Sequence, residues 1–129
     1  PLFLALNRNK MSLTLNPMKL EGREVVRRLV ETADVVIANL PQPTLEAMGI
    51  DYDSLKAIKP DIILTTVTAY GNGGPYSERV GFDGVAQALA GATYMGGHPG
   101  DPMKSFVPFA DFGTATMAAF GTMSALLDR

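Results

Sequence analysis

Apolar and polar positions along the chain follow two periods, and the alternation between them predicts its elements. Residues 21–33 place Val25, Val26, Leu29, Val30 and Ala33 at helical spacing, with Arg23, Arg27, Arg28 and Glu31 opposite. Residues 34–38 then carry Val-Val-Ile, a β-branched run short enough for a buried strand, and residues 61–67 (Ile-Ile-Leu-Thr-Thr-Val) repeat the pattern. Between them, residues 45–58 predict two short helical pieces broken at Gly49-Ile50-Asp51. Residues 82–90 and 112–127 predict two further helices, the second rich in Gly, Ala and Thr. Near the start, Ser12-Leu13-Thr14-Leu15 predicts a strand ended by Asn16-Pro17. The polar Asn7-Arg8-Asn9-Lys10 then lies between two apolar strands, either as a solvated turn or as a phosphate contact.

Buried strands alternating with helices imply an α/β fold with a Rossmann-like, doubly wound parallel sheet and flanking helices. Strands 12–15, 35–38 and 62–67 are expected parallel and adjacent, with the helix at 21–32 crossing over in the right-handed sense. Ligands of such sheets bind outside the carboxyl ends of the strands. Here those ends are Asn16, Asn39 and the Tyr70-Gly71-Asn72-Gly73-Gly74-Pro75 turn. Asn also closes strands for purely local reasons, so both readings stay open. Gly71-Asn72-Gly73-Gly74 matches neither dinucleotide nor P-loop patterns, and a plain turn is expected. Residues 91–108 form an irregular Pro- and Gly-rich loop holding His98, the only histidine, which reads as a surface residue.

Composition narrows the class. A 129-residue chain, 47% hydrophobic and 19% charged, fits one globular domain. Its net charge of −2 argues against a nucleic-acid partner. Without cysteine there is no disulfide framework and no thiolate zinc cluster, and a single histidine makes a metal site unexpected. No apolar run approaches the length of about 18 residues that a membrane span needs, so a cytoplasmic protein is the default expectation. Both ends, Pro1-Leu2-Phe3 and Leu127-Asp128-Arg129, interrupt apolar patterns, and we read the chain as a segment of a longer polypeptide.

The most informative residue is Asp111, in Phe109-Ala110-Asp111-Phe112-Gly113-Thr114-Ala115, where an apolar stretch meets the small-residue helix. An acid there is either an N-cap, worth about 1 kcal/mol, or a reactive carboxylate kept ionised by the helix N-terminus. Asp83, in Gly81-Phe82-Asp83 with Gln87 one turn on, is readable as a first-turn acid complementing the helix dipole. Gly113 and Gly121 either allow close helix packing or leave room for a cofactor.

Taken together these segments resemble the class III CoA-transferase family. The resemblance rests on Asn7-Arg8-Asn9-Lys10-x-Ser12-Leu13-x-Leu15, Glu21-Gly22-Arg23 and Ala33-Asp34-Val35-Val36-Ile37-x-Asn39. It continues through Gly49-Ile50-Asp51-Tyr52-x-x-Leu55, Lys59-Pro60-Asp61, Tyr70-Gly71 with Gly74-Pro75, Gly81-Phe82-Asp83 with Ala86-Gln87-Ala88, and the Asp111 segment. By this resemblance the chain is part of the large domain of a CoA-transferase acting on acyl-CoA and a carboxylic acid, and the parent is an interlocked homodimer. Asp111 falls at the catalytic aspartate; Leu15, Asn16 and Asn39 fall at CoA-contacting positions, and Asp83 at an acidic position grouped with them beside the active site. Departures are Leu40-Pro41-Gln42-Pro43 where relatives carry an aromatic-Arg-Pro-Gly run, and Ala47 and Val80 at basic positions. The racemase branch has a histidine base where this chain has Phe82, so transferase ranks above racemase; an inactive fragment or assembly module is the alternative from another class.

Overall fold

Val26, Val30 and Ala33, at helical spacing on one face, meet the apolar side of a second helix and of a short sheet, and this contact sets the core. The computed structural model describes residues 2–129. In chain order these form α1 (Leu2–Leu6), α2 (Leu20–Thr32), β1 (Val35–Ala38), α3 (Gln42–Met48), α4 (Tyr52–Ile58) and β2 (Ile63–Thr66), followed by α5 (Asp83–Leu89), α6 (Ala92–Met95), β3 (Gly97–His98), β4 (Asp101–Pro102) and α7 (Phe109–Asp128). Val30, Leu55 and Ile62 are buried together, with Val26, Ala33, Val36, Ile50, Ile58 and Leu64 packed around them.

β1 and β2 pair in parallel with Val35 opposite Ile63 and Ala38 opposite Thr66, as the two β-branched runs predicted. A parallel neighbour requires a crossover, and α3 and α4 supply it. Gly49, at φ 70°, closes α3, where its missing Cβ suits the left-handed backbone. Asp51 opens α4 by accepting from the Ser54 amide at 3.1 Å and from its hydroxyl at 2.6 Å. The molecule is thus mixed α/β with a small parallel sheet, plus a two-residue antiparallel hairpin, β3–β4.

The first part of the chain differs from expectation. Residues 2–6 form a helix, which Asn7 closes by donating from its backbone and side-chain nitrogens to the Phe3 carbonyl. Asn7-Arg8-Asn9-Lys10 is therefore the exposed turn after a helix, with Asn9 at φ 63°. Residues 12–15 are not a strand. Alternating Leu13 and Leu15 report a backbone preference, but a strand exists only through a ladder partner, and among the described residues none lies beside them. Consequently α2 is not a crossover between strands; it covers α4 from one side.

α7 packs along β2, tied by a 2.6 Å hydrogen bond between the Thr65 and Thr122 hydroxyls. At its C-terminus Arg129 donates to the Asp34 carboxylate at 2.7 Å and to the Asp61 carbonyl at 3.3 Å, both just before the strands begin. α7 therefore runs antiparallel to β2. Its N-terminus projects past the carboxyl ends of the strands, the side on which such sheets hold ligands.

Candidate active site

Twenty residues of helix span about 30 Å, so the first turn of α7 is carried well beyond the sheet. Asp111 lies eleven positions before Thr122, roughly 16 Å along the axis at 1.5 Å per residue. The helix begins one turn earlier than residue 112: Pro108 occupies the cap position, where it offers no side-chain acceptor, and Asp111 is the third helical residue. The N-cap reading of Asp111 is thereby replaced. Its side chain is exposed, and among the described residues its carboxylate accepts no hydrogen bond.

The cap comes from elsewhere in the chain. Asp83, only 6% exposed, accepts from the Ala110 amide at 3.0 Å and the Asp111 amide at 3.3 Å, both through Oδ1. Its Oδ2 accepts from Gln87 Nε2 at 2.5 Å, and Gln87, 1% exposed, accepts the Ser105 amide on Oε1 at 2.8 Å. Gln87 Nε2 also lies 3.5 Å from the Val107 carbonyl. Two orphan amides of the α7 N-terminus are thus satisfied by a buried carboxylate 27 or 28 residues away in sequence. The Ala110 and Asp111 amides are therefore engaged within the protein and not open to a ligand. Asp83 stands beside Asp111, and its carboxylate is occupied by protein donors.

Gly81 lets α5 start close to the loop that follows β2: a Cβ there would lie 2.9 Å from the Ala69 Cβ. At Gly113 and Gly121 a Cβ would meet nothing within 4 Å, so among the described residues these glycines leave open space along α7 rather than a close contact.

The carboxyl edge of the sheet carries Asn39, exposed directly after β1, beside Val67, whose amide donates to the Ala38 carbonyl at 2.9 Å. The 71–74 loop folds back to that edge through Asn72 Nδ2, 3.4 Å from the Thr66 hydroxyl. It does not open a helix, which removes the geometry of a phosphate cradle. Asn16 is held differently. Its carbonyl lies on α2 where Gly22 has no side chain, and its Oδ1 accepts the Met18 amide at 3.0 Å. Arg23 secures the same turn, donating to the Pro17 carbonyl at 3.2 Å and to the Ala47 carbonyl at 2.5 Å. Leu15 is half-buried beside it. Among the described residues no hydrogen bond joins Leu15, Asn16 or Asn39 to Asp83 or Asp111; only the two acids are brought together.

Arg79, adjacent to the substituted Val80, stacks on Tyr76 with its guanidinium 4.3 Å from the ring centre, and Tyr70 meets Tyr76 edge-on at 5.7 Å. His98 is exposed in β3, as its loop setting suggested. Among the described residues no group of three His, Cys, Asp or Glu side chains is disposed to hold a metal ion. No helix there is long and apolar enough to cross a membrane. The feature that sequence reasoning missed is the role of Gln87. Its i, i+4 spacing from Asp83 was the available signal; its two backbone partners, at residues 105 and 107, were not foreseeable.

A free aspartate on the first turn of a long helix thus lies beyond the carboxyl ends of a parallel strand pair in a mixed α/β protein. The model of CoA-transferase family III matches residues 1–129, the whole chain. A succinate–glutarate CoA-transferase of Agrobacterium fabrum is 39% identical over 124 residues, covering 95% of this chain and 31% of that protein. The succinyl-CoA–L-malate CoA-transferase beta subunit of Chloroflexus aurantiacus is 38% identical over 129 residues, covering 98% of this chain and 32% of that protein. In three dimensions, a crystal structure of a CAIB/BAIF family protein from Brucella suis superposes with a TM-score of 0.90 at 44% identity, over 95% of this chain and 33% of that one. The chain belongs to CoA-transferase family III. It spans about a third of the length of these relatives.

Proposed function

We propose that the protein containing this chain moves coenzyme A from an acyl-CoA donor to a carboxylic acid acceptor, with Asp111 as the nucleophile. The observation that carries this is the carboxylate of Asp111: exposed, unpartnered among the described residues, and borne on a backbone fixed by a buried acid. In the proposed reaction an Asp111 oxygen attacks the thioester carbonyl, the C–S bond breaks, and CoA leaves as thiolate from a mixed anhydride. The thiolate then attacks the aspartyl carbonyl, releasing the donor acid and leaving CoA as a thioester on Asp111. The acceptor carboxylate attacks that thioester, expelling CoA thiolate and forming a second mixed anhydride. The thiolate then attacks its acceptor carbonyl, giving the acceptor's CoA thioester and regenerating the Asp111 carboxylate. A carboxylate is a weak nucleophile, so the complete site must exclude water around it and supply oxyanion donors.

The names of the relatives favour succinyl-CoA as donor and a dicarboxylate as acceptor. Leu15, Asn16 and Asn39 are proposed to contact CoA, with Asp83 acting at the same site through α7. In the whole protein we propose that β1 and β2 belong to a larger Rossmann-like sheet. An interlocked homodimer in the cytoplasm completes the proposal. Phe82, which carries no titratable group, favours transfer over racemisation at this site.

The test is hydroxylamine trapping in the full-length protein incubated with succinyl-CoA. Wild type is expected to yield an aspartyl hydroxamate at Asp111, and Asp111→Asn none, with its melting temperature nearly unchanged. Undiminished turnover in Asp111→Asn would sink the assignment.

A further inference from the structure

We propose that Asp83 and Gln87 act together as positioning residues for Asp111, holding the first turn of α7 and the segment before it as one unit. This rests on the reading of Asp111 as nucleophile.

The argument starts from burial. Asp83 and Gln87 are the only buried polar residues among the described residues, and they lie side by side on one face of α5. An acid withdrawn from water is tolerated only if its oxygens find donors, and here both do. Oδ1 takes two consecutive amides of α7 and Oδ2 takes the Gln87 amide.

Gln87 extends the clamp in the other direction. With Nε2 on Asp83 and Oε1 on the Ser105 amide, its side-chain amide has one available orientation, because a flipped group would set Nε2 against the Ser105 N–H. Ser105 in turn accepts the Val107 amide on Oγ at 3.2 Å, and the Phe109 amide donates to the Val107 carbonyl at 2.8 Å. The entry to α7 is therefore tied at 105, 107, 110 and 111, all to α5 or to each other.

What this does for chemistry is mechanical. The Asp111 side chain has no hydrogen bond of its own among the described residues, so its reach is set by where its backbone lies and by its rotamer. A misplacement of about 1 Å at a reacting atom can cost roughly 100-fold in rate. The bond of the Asp111 amide to Asp83 is the shortest path by which the fold sets that position.

The full-length protein carries the test, with Asp83→Asn, Asp83→Ala and Gln87→Glu compared with wild type. Gln87→Glu replaces the donor facing Asp83 by a second acid and so opens the clamp without removing volume. Hydrogen exchange of the 106–112 peptide, read by mass spectrometry without substrate, is expected to speed up by about tenfold or more in Asp83→Ala and Gln87→Glu. Asp83→Asn, which can still accept from α7, should fall between them and wild type. With succinyl-CoA the single-turnover acylation rate should drop about 100-fold in Asp83→Ala, while KM stays within about threefold. If β1 and β2 also exchange faster in Asp83→Ala, that variant has lost its fold and Asp83→Asn and Gln87→Glu decide. Unchanged exchange at 106–112 overturns the clamp, and faster exchange with an unchanged acylation rate overturns its role in positioning. A wild type that is never acylated refutes Asp111 as nucleophile instead, and the exchange data then still decide whether Asp83 and Gln87 hold α7.

Discussion

Replacing Gly22 by alanine sets two effects of known size against each other. In an ordinary helix interior, Gly→Ala stabilises by roughly 0.5–1 kcal/mol, because glycine loses more backbone freedom on folding. Gly22 lies within α2, and its backbone is not left-handed, so nothing in its conformation forbids alanine. The obstacle is steric. A Cβ at this position would stand 2.0 Å from the Asn16 carbonyl oxygen, 2.6 Å from its carbon and 3.2 Å from the Pro17 nitrogen. The neighbours are backbone atoms next to a proline and cannot swing away as a side-chain end would. Opening the closest approach to the 3.0 Å that real contacts observe requires a displacement of about 1 Å. That movement strains the bonds from the Lys19 amide to the Asn16 carbonyl and from Arg23 to the Pro17 carbonyl. Overpacking of this kind typically costs 1–3 kcal/mol, which exceeds the propensity gain, so we expect Gly22→Ala to destabilise by about 1–2 kcal/mol. Gly121→Ala is the matched control: a Cβ there meets nothing within 4 Å, and the substitution should stabilise by roughly 0.5–1 kcal/mol. Urea titration of the 129-residue chain followed by circular dichroism measures both. A Gly22→Ala chain as stable as Gly121→Ala would show that the Asn16 turn is not seated on α2.

Asp51→Ala should cost about 1 kcal/mol through loss of the α4 cap, with Asp51→Asn recovering most of it, as read by the same titration. The Arg27 and Arg28 side-chain hydrogen bonds lower Glu24 from 4.5 to about 2, and the Arg129 hydrogen bond, with Lys59 nearby, lowers Asp34. Depressed acids stabilise the fold above their ordinary range and lose that contribution as pH falls through the folded value. Melting temperature should therefore decline between pH 4.5 and about 2, less steeply in Glu24→Gln; a slope identical to wild type would argue against the cluster, and salt should weaken the effect. In sedimentation the 129-residue chain should associate, because Phe106 is 98% exposed and Leu127 86%, with Phe3, Ile37 and Phe120 also open to solvent. A monomer across the micromolar range would contradict this.

Periodicity alone determined much of the local structure. The β-branched runs at 35–38 and 63–66, the helical face of Val26, Val30 and Ala33, and the Gly49-Ile50-Asp51 break were legible because each is fixed by neighbours in the chain. The position of Asp111 at a helix start was legible for the same reason. The tertiary structure decided what joins distant segments. Residues 12–15 have strand composition yet no ladder partner among the described residues, since pairing is a property of two segments and not of one. Residues 2–6 are apolar throughout, and an apolar run without alternation does not distinguish helix from strand. The cap of α7 lies on Asp83, because the first-turn amides take whichever buried acceptor the packing of α5 brings within 3.0–3.3 Å. Local sequence offered Asp111 for that task, and only the fold assigned the bonds to Asp83 and left the Asp111 carboxylate open.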